Sequence, residues 1–176
     1  MIKMQYENVI FPNSAGFHCR KCGKCCRNQP PDINFKEQER IQTAGYKNFM
    51  QDLSDPRNRN IRRNSDGSCF FFTKENTCKI NSIKPLICIL EPFIIADFDY
   101  NRNKIFLDLN PLAVSDCKGI ETEKNVATEE IGKAAQTIVL DCLQIVAEKT
   151  GLLITDKKVA LLTRQLLRFK FHHEPR

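Results

Sequence analysis

The stretch His18-Cys19-Arg20-Lys21-Cys22-Gly23-Lys24-Cys25-Cys26-Arg27 places four cysteines inside eight residues, each next to a cationic side chain. Packing a core has no use for thiols at that density. A C-x2-C-x2-C-C run instead puts several soft sulfur donors within reach of one metal ion or cluster. The spacing suits a zinc knuckle and the start of an iron-sulfur run equally, because softness selects sulfur-loving metals without choosing between these two. Cations beside a thiol lower its pKa and favour the thiolate that binds metal. Arg20, Lys21, Lys24 and Arg27 are expected to act in this way.

Outside the knuckle the chain carries Cys69, Cys78, Cys88, Cys117 and Cys142, nine cysteines in all. Cys142 lies between Val139 and Leu143 on the apolar face of a predicted helix, where a free cysteine behaves as a small hydrophobe. The metal-ligand candidates are therefore Cys19, Cys22, Cys25, Cys26, Cys69, Cys78, Cys88 and Cys117. Eight thiolates make two four-sulfur sites, or one cluster with spare cysteines. Adjacent Cys25 and Cys26 tend to point in different directions, which suits service to different centres. An odd cysteine count argues against a disulfide framework, as does a reducing cytosol.

No apolar run reaches the ~18 residues a spanning helix needs. Met1–Ile10 lacks a signal peptide's apolar stretch, so the expected location is cytoplasmic. The formal net charge of +6 resembles a nucleic-acid signal until the thiolates are counted. A divalent metal or a [4Fe-4S] cluster on four thiolates carries about −2, so two such sites would bring the protein to about +2.

The 176 residues predict a single α+β domain, with a cysteine-cluster metal-binding region at 17–120 and a helical extension at 121–176. Tyr6–Phe11 suggests a short strand. Asp32 or Asn34 caps a helix ending near Gly45, and a second short helix is expected over Lys47–Leu53. Asp55–Gly67 reads as a polar loop with a brief strand at Ile61. Thr73–Thr77 turns a hairpin that brings Cys69 and Cys78 together. Ile83–Leu90 reads as a helix with Pro85 in its first turn. The period-two pattern of Ile105, Leu107 and Leu109 makes a second hairpin with Ile94–Asp99 across Tyr100–Asn103. Thr128 and Gly151 bracket a long amphipathic helix, and another runs from Thr155 or Asp156 to Phe171. These two are expected to form an antiparallel pair.

The C-x3-C-x2-C motif of radical S-adenosylmethionine enzymes is absent, since position 18 is His18 and position 29 is Gln29. Neither a Walker loop nor a Rossmann glycine fingerprint is present. The ordered series Phe17-His-Cys19-x2-Cys22-Gly23-x-Cys25-Cys26, Gly67-Ser-Cys69-Phe70-Phe71, Cys78-Lys-Ile80, Lys84-Pro85-x2-Cys88-x3-Pro92-Phe93 and Cys117-x-Gly119-Ile120 resembles the CxxCxxCC (YkgJ-like) family of zinc- or iron-chelating proteins. Three positions depart from the family pattern. Lys84 and Ile89 stand where relatives carry Arg, and Asn81 where they carry Tyr. A lost Arg removes a planar donor fork that Lys cannot copy. The resemblance implies a metal-binding domain, with a remoter likeness to the cysteine-cluster part of flagellin lysine N-methylases. The methyl-transfer activity is not carried over, because no methyl-donor site is evident.

His18 is either an alternative ligand or a hydrogen-bond donor to sulfur, and His172 and His173 read as a tail. Phe70, Phe71, Phe72 and Phe93 are either cluster walls or ordinary core aromatics. Arg57, Arg59, Arg62 and Arg63 read as a solvated loop rather than an RNA surface, for no stacking aromatic lies in the loop. The leading functional expectation is one or two all-cysteine centres of [4Fe-4S] type, in electron transfer or in service to a partner enzyme. A structural zinc adaptor contacting protein or nucleic acid is the second reading, and a methyltransferase-like enzyme the third. Whether the protein is an enzyme is left open.

Overall fold

The computed structural model describes residues 8–12, 16–28, 30–51, 59–115, 117–121 and 128–171. Its organising element is the helix α5, Thr128–Thr150, which packs against α6, Lys157–Phe171. Ile131, Ala135, Ile138, Val139, Cys142, Leu143 and Val146 recur at helical spacing along α5 and are all buried. That stripe needs an apolar partner surface. A three-stranded sheet supplies it, in the order β1-β4-β3: β1 is Val9–Ile10, β3 is Phe93–Asp99 and β4 is Lys104–Leu109.

β3 and β4 form the expected hairpin, with Ile95 opposite Leu107 and Asp99 opposite Lys104. The register shifts between Ile95 and Asp97, so the strand kinks where Asp97 meets α6. β1 adds to β4 in parallel, Val9 opposite Ile105. Phe93, Ile95, Phe98, Ile105 and Leu107 point into the same core as α5. Each such side chain, when fully buried, is worth about 1.5–3 kcal/mol. Cys142 is part of this core, 6% exposed, as its apolar setting in the sequence implied.

A second, smaller core lies on the cysteine-rich side. Ile33, Ile41, Phe49, Ile61, Cys69, Phe71 and Ile80 form it, with Cys26 and Cys78 packed against it. The helix α2, Phe35–Thr43, contributes Ile41 and is capped by Asn34, whose side chain accepts from the Glu37 amide. Lys47–Gln51 is not the helix expected there. Asn48 takes φ +55, and the backbone bonds of the segment run to its neighbour instead: Arg62 N–H to Phe49 O at 2.8 Å and Gln51 N–H to Asn60 O at 2.9 Å. A chain that pairs laterally has no carbonyls left for a helix. Leu53 lies outside the described residues.

Ile61, a brief strand in expectation, is fully buried and bridges Met50. The Cys69–Cys78 reversal is present but irregular, with one bridge from Phe72 to Cys78 and another from Arg63 to Cys69. The expected Ile83–Leu90 helix splits in two. Asn81–Ile83 forms a 3-10 turn and α3 covers Leu86–Leu90, with Pro85 outside as the N-cap residue. Proline pushes the residue before it out of the helical region, and Lys84 accordingly sits at ψ 150.

Candidate metal centre

Four short segments carry the eight candidate cysteines, and specific backbone contacts tie three of them together. The knuckle ends in the helix α1, Lys24–Asn28. Gly23, at φ +72, precedes it and stands under the ring of Phe72. The Cys69 amide donates to the Cys26 carbonyl at 2.7 Å, which ties the second segment to the first. Phe72 bridges Cys78, and the Lys79 amide donates to Phe71 O at 2.9 Å. Cys88 sits on α3, its amide donating to Pro85 O at 2.9 Å.

Cys117 arrives by a separate route. β2, Gly16–Phe17, pairs antiparallel with β5, Ile120–Glu121, Phe17 opposite Ile120. The ladder continues with the His18 amide donating to Gly119 O at 2.9 Å. A β-carbon on Gly119 would stand 2.3 Å from the His18 carbonyl oxygen, so only glycine fits. The helix α4, Pro111–Val114, precedes this segment, and the Cys117 amide donates back to Ala113 O at 2.7 Å. The fold thus ties the backbone of His18, rather than its imidazole, to the Cys117 segment.

Burial raises the thiols of several candidate cysteines, and the charges of other cysteines add to it. Burial pushes the Cys88 thiol well up, and the charges of Cys69, Cys25 and Cys78 push it further. Cys69 is raised first by burial and then by Cys78 and Cys25. Cys78 is raised by burial and by Cys25. Cys25 is raised by its hydrogen bond with Cys26, by burial, and by the charges of Cys26 and Glu91. Cys117 is raised by burial, then by Cys22 and Cys25. The charges of Cys25, Cys69 and Cys78 thus each act on Cys88, and those of Cys22 and Cys25 on Cys117. Cys19 is exposed and stays at the outer end of the knuckle.

Cys25 is exposed and Cys88 half-buried, and burial raises both thiols. Among the described residues, no three of His, Cys, Asp and Glu stand in the tight set that closes on one ion. The thiols are gathered, but their sulfurs are not closed into coordination geometry. The donor chemistry fits a sulfur-loving metal: thiols whose charges act on one another repel as thiolates, and a cation relieves that repulsion.

Arg27 of the knuckle lies over the Phe72 ring, 4.6 Å from its centroid, and donates to Asn76 Oδ1 at 3.1 Å. Lys84 acts on a candidate thiol, its charge lowering Cys78 against the effect of burial. Lys84 also pairs with Glu130 at 3.8 Å.

Two carboxyls near the thiols were not singled out as site residues from the sequence. Glu91 is raised by burial, accepts from Asn110 Nδ2 at 3.3 Å and acts on Cys25. Glu37 is 6% exposed and acts on Cys88. Glu37 was legible in part as the third residue after a capping Asn; Glu91 had no such signal. Of the phenylalanines, Phe71 and Phe93 are each 1% exposed and belong to the two cores, whereas Phe72 walls the knuckle. Phe70 lies half-buried under Arg62, whose guanidinium is 4.3 Å from the ring centroid. His172 and His173 lie outside the described residues, as does Arg57.

An α+β scaffold whose backbone ties cysteine-bearing segments to one another is the class these observations define. The chain belongs to the CxxCxxCC family, described as "Putative zinc- or iron-chelating domain", whose profile matches residues 18–109. Cys117 and the α5–α6 pair lie beyond the matched residues. Uncharacterized protein MJ0661 of Methanocaldococcus jannaschii is 26% identical over 140 residues, spanning 74% of this chain and 72% of its own length. No solved structure matches the chain. Among the described residues, no helix is long and apolar enough to cross a membrane.

Proposed function

We propose that this chain carries all-cysteine iron-sulfur chemistry of [4Fe-4S] type, in electron transfer or in service to a protein partner in the cytoplasm. Cys25, Cys69, Cys78 and Cys88 ligate the principal centre. Cys19, Cys22, Cys26 and Cys117 are the remaining donors, sufficient for a second. The observation that carries this reading is the Cys69 amide donating to the Cys26 carbonyl, which joins the four-cysteine knuckle to the Cys69–Cys78 segment. The family description supports metal chelation in general. Near absence of histidine, with three in the chain, favours clusters on thiolate over the mixed Cys/His sets common at zinc.

When bound, such a cluster supplies one-electron redox chemistry. The protein's own residues hold it and control water. Phe72 covers the knuckle, Cys69 brings its sulfur from the second core, and Lys84 offsets part of the negative charge. Purification under strict anoxia, followed by iron and acid-labile sulfide assays and a visible spectrum, tests the proposal. Iron and sulfide in equal amounts with broad visible absorbance are expected. Stoichiometric zinc in a colourless protein would replace this reading with the structural zinc module. Absence of both metals from protein reconstituted under reducing conditions would end the metal reading altogether.

A further inference from the structure

Glu37 is a buried carboxylate that serves two elements at once. Its Oε2 accepts from the Asn34 amide at 2.8 Å, completing the capping box of α2. Its Oε1 accepts from the Leu86 amide at 2.6 Å, across 49 residues of sequence. Leu86 opens α3, which carries Cys88 one half-turn further on. α3 is five residues long and has no side-chain cap of its own. A helix that short does not hold itself, so its position depends on what grips it from outside. Arg40, one turn along α2 from Glu37, adds a second grip by donating to Lys84 O at 3.2 Å. Asn34 is in turn held by Asp141 of α5, its Nδ2 to Oδ2 at 3.0 Å. A string of bonds thus runs from the C-terminal helix pair to a candidate ligand.

The charge makes the arrangement informative. Glu37 acts against the thiolate of Cys88, so a neutral acceptor would suit an anionic site better. A carboxylate offers acceptors on both oxygens, whereas an amide offers one oxygen and turns its NH2 toward the other N–H. With the Asn34 and Leu86 amides on different oxygens, the acid accepts both in place, whereas Gln would turn its NH2 toward one of them.

We propose that Glu37 is a positioning residue for the metal site: by accepting the Asn34 and Leu86 amides together it locks α3 to α2 and sets where the Cys88 sulfur stands. This rests on the reading of Cys88 as a metal ligand. A cleft of about 380 Å³ between α2, α3 and α5, lined by Glu37, Leu86 and Asp141, opens beside the bond. Water can therefore reach the Leu86 amide when the carboxylate is replaced, and the variant is expected to fold with α3 displaced.

Cobalt(II) titration of the reduced full chain under anoxia tests this with wild type, Glu37→Gln, Cys88→Ser and the double variant, folding being checked by circular dichroism. Glu37→Gln is expected to weaken cobalt binding by about tenfold or more, as the loss of a ligand-orienting partner does. It is also expected to lose thiolate-to-cobalt absorbance per cobalt, as Cys88→Ser does. In the Cys88→Ser background the same change is expected to shift affinity by no more than about twofold, because its route to the metal is gone. Should Glu37→Gln fail to fold, Glu37→Asp keeps the charge on α2 but falls short of Leu86, and is expected to give the same pattern. Cobalt uptake in wild type with either variant unchanged, or full additivity with Cys88→Ser, would overturn the positioning role alone. A wild-type chain that binds cobalt without thiolate absorbance would overturn the metal reading, and this role with it.

Discussion

The ring of Phe72 occupies the space a β-carbon on Gly23 would need, its Cζ lying 2.2 Å from that position. One contact thus joins the knuckle to the Cys69–Cys78 segment and explains the glycine after Cys22. Gly23→Ala adds overpacking of about 1–3 kcal/mol to about 1–2 kcal/mol of left-handed backbone strain. Denaturant titration should show that loss, and metal stoichiometry should fall with it. Adding Phe72→Ala should recover the packing part and leave the strain. No recovery in the double variant would mean that Phe72 is not the obstacle.

Gly119 meets backbone rather than a ring, and backbone cannot swing aside. Gly119→Ala should split the β2–β5 ladder and detach Cys117 from the knuckle. Gly67→Ala is the matched comparison: its β-carbon would meet nothing within 4 Å, although φ is +82. It should cost only the strain, about 1–2 kcal/mol. Metal content measured on both variants decides the matter, because equal losses would contradict the close approach.

Arg164 grips Asp97 with both donors, Nε to Oδ1 and Nη2 to Oδ2, each at 2.5 Å. The hydrogen bonds and charge of Arg164 hold the Asp97 carboxyl below its ordinary value of 3.8. A folded pKa lower than the unfolded one means stability that is complete above the unfolded value and is lost as pH falls through the folded one. The pair is partly exposed, so about 0.5–1 kcal/mol is expected. Wild type and Asp97→Asn should differ by that amount at neutral pH and converge in acid, once the pH has fallen through the lowered Asp97 value. A difference that persists in acid would show that the charge is not responsible.

Metal removal should act unevenly. The α5–sheet core contains no candidate ligand, whereas Cys69 lies inside the second core with Cys26 and Cys78 packed against it. Chelation of the loaded protein should raise amide hydrogen exchange at Ile61, Phe71 and Ile80 first. Val139, Leu143 and Leu167 should stay protected, because opening is regional where contacts are regional. Simultaneous loss of protection in both groups would show that the two cores unfold as one unit.

Much of this architecture is readable from local pattern. The apolar stripe of α5, the Gly151 stop, the Asn34 cap and the period-two run of β4 each declare themselves within about ten to twenty residues, the range over which periodicity and capping act. The density of cysteines announces a metal site in the same way. The Lys47–Leu53 expectation failed because the segment's amides and carbonyls pair with 60–62, a lateral choice that helix propensity cannot register. The parallel docking of Val9 beside Ile105 is equally invisible, for it depends on a third element covering both.

Composition and spacing settle the donor type, the α+β content and the helix pair, because each is written in side-chain chemistry and local period. Which thiols become neighbours, and which carboxylate grips the helix bearing Cys88, emerge only once chain segments up to about ninety residues apart are folded together. Glu37 shows the reason: one of its oxygens follows a local capping rule, while the other reaches an amide 49 residues away. A contact at that separation is chosen by the packing of the whole, not by either sequence neighbourhood.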